Sequence, residues 1–195
     1  MAGTRRAQIL DTAARLFADR GFHGVSVAER GAACGISGPA LYKHFPSKDA
    51  MLAEMLVEIS EELLRVARAR VGASSDAGSA LQGLVSWHVE FALRHKPLIV
   101  VQDRDWASLP EQARERVRSL QRAYVDLWAD RLAELHPELA PDAARARAHA
   151  AFGLLNSTPH SAVLPEPDMA RLLEEMAAGA LGLPDPRLRD PADAV

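Results

Sequence analysis

The chain has 195 residues, 48% hydrophobic and 25% charged, which suits one globular domain or a small one joined to a larger one and excludes a disordered chain. Its single cysteine, Cys34, excludes an internal disulfide framework and a multi-cysteine metal site, and no run reaches the roughly 20 apolar residues of a membrane span. The expected location is the cytoplasm, with no membrane partner. A net charge of −3 hides an asymmetry: residues 1–48 carry a balance of +4 and the remainder −7, so a basic head sits on an acidic body.

In chain order the pattern is helical throughout. Ile9, Ala13, Leu16 and Phe17 mark one face of a first helix, starting near a Thr4 cap and stopped by Gly21. Ser26 with Glu29 three residues on is a capping-box signature, so a second short helix runs from about Val27 to Cys34. Gly35 ends it, and Ser37 caps a third helix whose first turn holds Pro39. Pro46 closes that helix, and Ser47 caps a long fourth one with Leu52, Met55, Leu56, Ile59, Leu63 and Val66 as its apolar stripe. A loop near 72–78 follows, then helices near 79–95, 98–106, 110–136, 142–156 and 168–181, with Pro137 and Pro141 bracketing a turn. The expectation is an all-α fold of about nine helices, divided into 1–47, 48–183 and a frayed tail over 184–195.

Three short helices with a glycine in the second turn form a helix-turn-helix, whose third helix offers its N-terminal residues to the major groove of DNA. Leu41 and Phe45, four apart, face the core, which leaves Gly38, Pro39, Ala40, Tyr42, Lys43 and His44 outward. The small residues suit contact with thymine methyls and Lys43 suits guanine O6/N7, while Ser26, Ser37, Tyr42, His44 and Lys48 suit phosphates. Singly, each of these residues fits an exposed helix face or cap; their joint spacing is what points to DNA.

The stretch Gly35-Ile36-Ser37-Gly38-Pro39-Ala40-Leu41-Tyr42-Lys43-His44-Phe45-Pro46-Ser47-Lys48 resembles the core motif of the TetR (tetracycline repressor) family, and residues 9–52 look like its N-terminal domain. The resemblance implies a homodimer that binds a palindromic operator in double-stranded DNA and lets go when a small molecule binds. The second helix departs from the pattern: Arg30 stands where a core isoleucine is usual and Gly31 where alanine is usual. Arg30 is expected to extend its head to solvent, and Gly31 to weaken the helix by about 1 kcal/mol.

In the body, Trp87, His88, Phe91, Gln102, Trp106, Tyr124, Trp128, His149, Phe152 and Asn156 form an aromatic and polar set suited to a small-molecule site. They carry few charges, so the expected effector is an apolar molecule with a polar end, of acyl-CoA or fatty-acid type. Ala148, Phe152, Leu155, Met169, Leu172, Leu173, Met176 and Ala180, on the last two helices, are the candidate dimer face. No catalytic residue, metal site or cofactor is expected. The chain has no HExxH, no GxxxxGK[ST], no GxSxG and no Glu-x-x-His pair, and Asp103 and Asp105 read as a solvated charged turn beside Arg104. A helical enzyme or protein-interaction module is the competing expectation, and it leaves the pattern from Lys43 to Lys48 without a purpose.

Overall fold

The computed structural model describes residues 5–184. The cap at Thr4 and all but the first residue of the expected tail lie outside the described residues. The helices are α1 (Arg5–Arg20), α2 (Val27–Ala33), α3 (Gly38–His44), α4 (Lys48–Gly72), α5 (Ala77–Arg94), α6 (Lys96–Asp105), α7 (Glu111–Leu135), α8 (Pro141–Leu155), α9 (Thr158–Ser161) and α10 (Glu166–Leu181). A 3₁₀ turn over Trp106–Ser108 follows α6. Among the described residues there is no strand, and nine helices have seven residues or more. One-turn α9 has no counterpart in the expected layout. The buried Thr158 hydroxyl holds it there by donating to the Ala92 carbonyl at 2.8 Å.

The chain forms two compact units. The first comprises the described residues up to Glu62 with His95–Leu120, and the second comprises Leu63–Arg94 and those from Gln121 on. The division drawn at 47/48 from sequence falls inside the first unit, because the start of α4 and all of α6 share the head's core. Ile9, Phe17, Leu41, Phe45, Met51, Leu52 and Leu56 pack there with Val101, Leu109 and Val117. Burying each such side chain contributes about 1.5–3 kcal/mol. The buried face of α4 changes along its length: Leu52, Met55, Leu56 and Ile59 are buried as the stripe predicts, but Leu64 and Ala67 then replace Leu63 and Val66.

The last carbonyls of a helix have no partner within it, and they carry the negative end of its dipole. Each helix of the head has an arginine at that end. Arg104 on α6 donates to the Phe17 and Ala18 carbonyls of α1. Arg5 reaches the Cys34 carbonyl at the end of α2 at 2.7 Å. Arg6 reaches the His44 carbonyl at the end of α3, pairs with Glu54 and lies 4.2 Å from the centre of the Phe45 ring.

Two expectations are corrected in this unit. Arg30 does not reach solvent: it is only 4% exposed, because α2 packs that face against the rest of the head. Its one hydrogen bond is a long one, from Nε to the Ser26 carbonyl at 3.4 Å, and burial lowers its pKa. Asp105 is not part of a solvated turn but 6% exposed, where it accepts from the Phe22 amide at 3.4 Å and from Arg104 at 3.1 Å. Gly31 also has a positive reason to be there. A Cβ on it would meet the Ile36 carbonyl oxygen at 2.8 Å and the Gly38 nitrogen at 3.3 Å, so α2 approaches the turn more closely than alanine allows. Gly35, with φ +65°, makes that turn.

In the second unit α5 packs against α8 and α10, and α8 against α10. Leu81, Leu84, Trp128, Leu132 and Leu155 are fully buried. His136 Nε2 donates to the Leu181 carbonyl at 3.0 Å, and Arg145 on α8 pairs with Asp126 on α7.

Candidate functional site

The recognition helix α3 begins as its sequence dictates. Ser37 takes extended backbone angles and its hydroxyl accepts from the Ala40 amide at 3.3 Å, with Pro39 in the first turn. Ser26 forms the full capping box of α2: its Oγ accepts from the Glu29 amide at 3.2 Å, and the Glu29 carboxylate accepts from the Ser26 amide at 2.8 Å. Those bonds hold the Glu29 carboxyl below its usual pKa. Leu41 and Phe45 are buried, while Pro39, Tyr42 and Lys43 are exposed and Ala40 and His44 are half-buried. Gly38 leaves room for a protein neighbour as well: a Cβ there would lie 3.1 Å from Val27 Cγ1.

Lys48 has work inside the protein. Its ammonium donates to the Phe22 carbonyl at 2.9 Å and the Val25 carbonyl at 3.2 Å, and lies 4.6 Å from the centre of the Phe22 ring. Asp105 holds the Phe22 amide from the other side, and Ser108 Oγ lies 2.9 Å from His23 Nε2. The loop between α1 and α2 is thus clamped by α4, α6 and the 3₁₀ turn. Among the described residues of the head, Lys43 is the one basic side chain with no hydrogen bond or ion pair. Arg5, Arg6 and Lys48 hold carbonyls, Arg15 pairs with Asp11, Arg20 pairs with Glu29, and Arg30 is buried. Cys34 is buried beside the turn, where desolvation raises its thiol pKa, as befits a small apolar residue.

The body residues divide between the units. Trp87, His88 and Phe91 on α5, Tyr124 and Trp128 on α7, and His149, Phe152 and Asn156 at α8 belong to the second; Gln102 and Trp106 belong to the first. Trp106 there packs against the head's core, its ring 5.7 Å from the Arg118 guanidinium. In the second unit His88 is the hub. It stacks on Phe152 at 5.1 Å and meets Trp128 edge-on at 6.1 Å, with Phe91 at 5.8 Å. His88 Nδ1 lies 3.0 Å from the Tyr124 hydroxyl and Nε2 lies 3.1 Å from Asn156 Oδ1. Because the amide oxygen can only accept, Nε2 carries the proton and Tyr124 donates to Nδ1. Burial lowers the His88 pKa to about 4 and raises that of Tyr124, so both stay neutral. Trp87 holds α5 to α4 through Nε1 and the Leu63 carbonyl at 3.1 Å, while His149 is exposed at the rim of Phe152.

The candidate dimer residues separate into two rows. Ala148, Leu155, Met169 and Leu173 are buried within their own chain. Leu172 is 40% exposed and Met176 47% exposed, Ala180 is exposed with them, and Phe152 is half-buried. Exposed Val163 and Leu164, just before α10, were not anticipated. Nor were Arg5, Arg6, Arg104 and Asp105, whose partners lie 29 to 87 positions away in sequence and leave no local signal.

Residues 9–55 match the family model described as "Bacterial regulatory proteins, tetR family", and residues 74–160 match "Tetracyclin repressor-like, C-terminal domain". The HTH-type transcriptional repressor KstR2 of Rhodococcus jostii is 30% identical over 125 residues, which cover 64% of this chain and 61% of that protein. A TetR-family transcriptional regulator from Bordetella parapertussis superposes with a TM-score of 0.80 at 24% identity, covering 97% of both chains. AibR, solved in complex with isovaleryl coenzyme A and operator DNA, superposes with a TM-score of 0.74 at 21% identity over 89% of this chain and 97% of that one. With the head and the body each matched by a model of one family, the chain belongs to the TetR family of bacterial transcriptional regulators.

Proposed function

We propose that this chain is a ligand-responsive repressor that binds a palindromic DNA operator as a homodimer in the cytoplasm and is released by a small effector. The observation that carries the reading is Lys43, which stands unengaged beside exposed Tyr42 on a capped α3 while the head's other cations are held within the protein. A lysine there can donate to guanine O6/N7, with the open amides of the α3 N-terminus and Ser37 beside phosphate. Two such helices read successive major grooves when about 34 Å apart, and a dimer supplies the second one. The exposed row of Leu172, Met176 and Ala180 on α10, with Phe152, is the face for that second copy. The effector site is the His88 cluster, and an acyl-CoA or fatty-acid derivative suits its aromatic lining; AibR, of like fold, is a coenzyme A thioester binder. Because α4 is one helix with residues in both units, an effector that displaces its second half also moves Lys48 and the loop it clamps. An effector shifts the population only by preferring the state with the heads spread.

The test is binding to palindromes from the DNA upstream of the gene, measured against salt. Lys43→Ala is expected to weaken operator binding about tenfold or more and to flatten the salt dependence by about one ion. An operator affinity unchanged in both Lys43→Ala and Tyr42→Ala rejects the reading.

A further inference from the structure

The indole N–H of Trp128 is buried and has no hydrogen-bond partner, while Trp128 itself is fully enclosed. It lies near enough to the Tyr124 hydroxyl to favour the phenolate electrostatically, but makes no hydrogen bond with it. An unsatisfied buried donor costs about 1–3 kcal/mol. Moving or replacing the ring would remove that cost, yet the ring is held edge-on against Phe152 at 4.9 Å and against His88 at 6.1 Å. Every other polar group around it is already committed. Tyr124 gives its proton to His88 Nδ1, and His88 gives its own to Asn156. The cluster therefore offers one donor aimed into an aromatic shell and asks for one acceptor.

We infer that Trp128 Nε1 is the anchor for a neutral carbonyl oxygen (ketone, ester, thioester or amide) on the effector, taking the His88 cluster as the effector site proposed above. The chemistry selects against a carboxylate. Phe91, Phe152, Trp128 and a neutral imidazole supply no compensating charge, and a buried anion without a cation is costly. The nearest guanidinium identified, Arg70, already donates to the Gly83 carbonyl at 3.3 Å and to Glu90 at 3.4 Å, and lies over the Trp87 ring at 5.6 Å. A carbonyl carries its partial charge at the price of far less desolvation, and its alkyl arms match the aromatic walls. The half-buried side chains of Phe152 and Asn156 mark the side on which the cluster opens.

The experiment uses the full chain and three probes of one length: methyl hexyl ketone, its isostere with the carbonyl oxygen replaced by methylene, and octanoate. The chain has three tryptophans, so its three indole N–H resonances are resolved in a ¹H–¹⁵N spectrum, and Trp128→Phe identifies the one in question. The ketone is expected to move the Trp128 indole proton downfield and to bind roughly fivefold more tightly than the isostere or octanoate, the factor that one hydrogen bond supplies. In Trp128→Phe that preference is lost while binding of the isostere persists. Should the variant fold poorly, the wild-type shift and preference decide. A Trp128 resonance unmoved by the ketone, or an equal or greater affinity for the isostere or octanoate, overturns the inference. Operator binding without probe is followed in parallel: its absence rejects the repressor reading and leaves the anchor result standing, whereas operator binding with no ketone preference rejects only the anchor.

Discussion

The two units satisfy their buried polar groups in different ways. In the first, Arg5, Arg6, Arg104 and Lys48 all end on main-chain carbonyls, and Asp105 accepts from a main-chain amide. In the second, His88, Tyr124 and Asn156 end on one another, with Trp128 left over. A side chain bonded to backbone fixes the path of the chain, so the head is a frame that presents α3 at one angle. Side chains bonded to side chains fix only rotamers. Such a network can exchange partners when a new group enters, and it is sensitive to protonation because each member depends on the next.

Protonation should give the largest effect in that comparison. The His88 pKa is about 4 in the folded chain against an ordinary value of 6.5, so the unfolded chain takes up the proton first as pH falls. Stability is therefore flat above about pH 6.5 and declines between there and pH 4, by about 3 kcal/mol in all. Denaturant midpoints across that range check it, and His88→Gln is expected to flatten the slope. A wild-type slope that persists unchanged in the variant removes His88 as the cause. Gly31→Ala probes the frame of the head. Helix propensity alone favours alanine by about 1 kcal/mol, but the contact with the Ile36 carbonyl should reverse the sign, for a net loss of about 2 kcal/mol by thermal unfolding. A stabilised variant would mean that the α2–α3 turn is adaptable after all. The smallest effect is expected of Lys48→Met, which keeps the stem over Phe22 and removes two carbonyl bonds, for about 1 kcal/mol of stability. Its operator affinity then separates a clamp from a phosphate contact: if the variant binds DNA as wild type does, the ammonium serves only the loop.

What could be read from the sequence was local. Ser26 with Glu29, Ser37 with Pro39, and Leu41 with Phe45 all interact within four residues, so the capping box, the start of α3 and its buried face were legible. Arg30 was misread because a buried guanidinium runs against every average, and only the packing of α2 decides it. Asp105 meets the Phe22 amide across 83 positions, beyond the reach of any periodicity. The apolar stripe of α10 was visible, but its division was not. Met169, Leu173, Ala177 and Leu181 form one row four residues apart and turn inward; Leu172, Met176 and Ala180 form the next row and stay outside. Hydrophobicity alone ranks the two rows alike.

The first unit is discontinuous in sequence, which matters to anyone who would graft it. A fragment ending at Glu62 keeps α1 to α3 and the recognition residues, but loses Arg104, Asp105 and Ser108, and with them the bonds that hold Phe17, Phe22 and His23. A chimera that exchanges heads between relatives at a single crossover after α3 or α4 joins a foreign loop to a resident α6 that was not shaped for it. Exchanging His95–Leu120 together with the head carries the matching half of the joint, so productive recombination of this fold needs a cassette in two pieces.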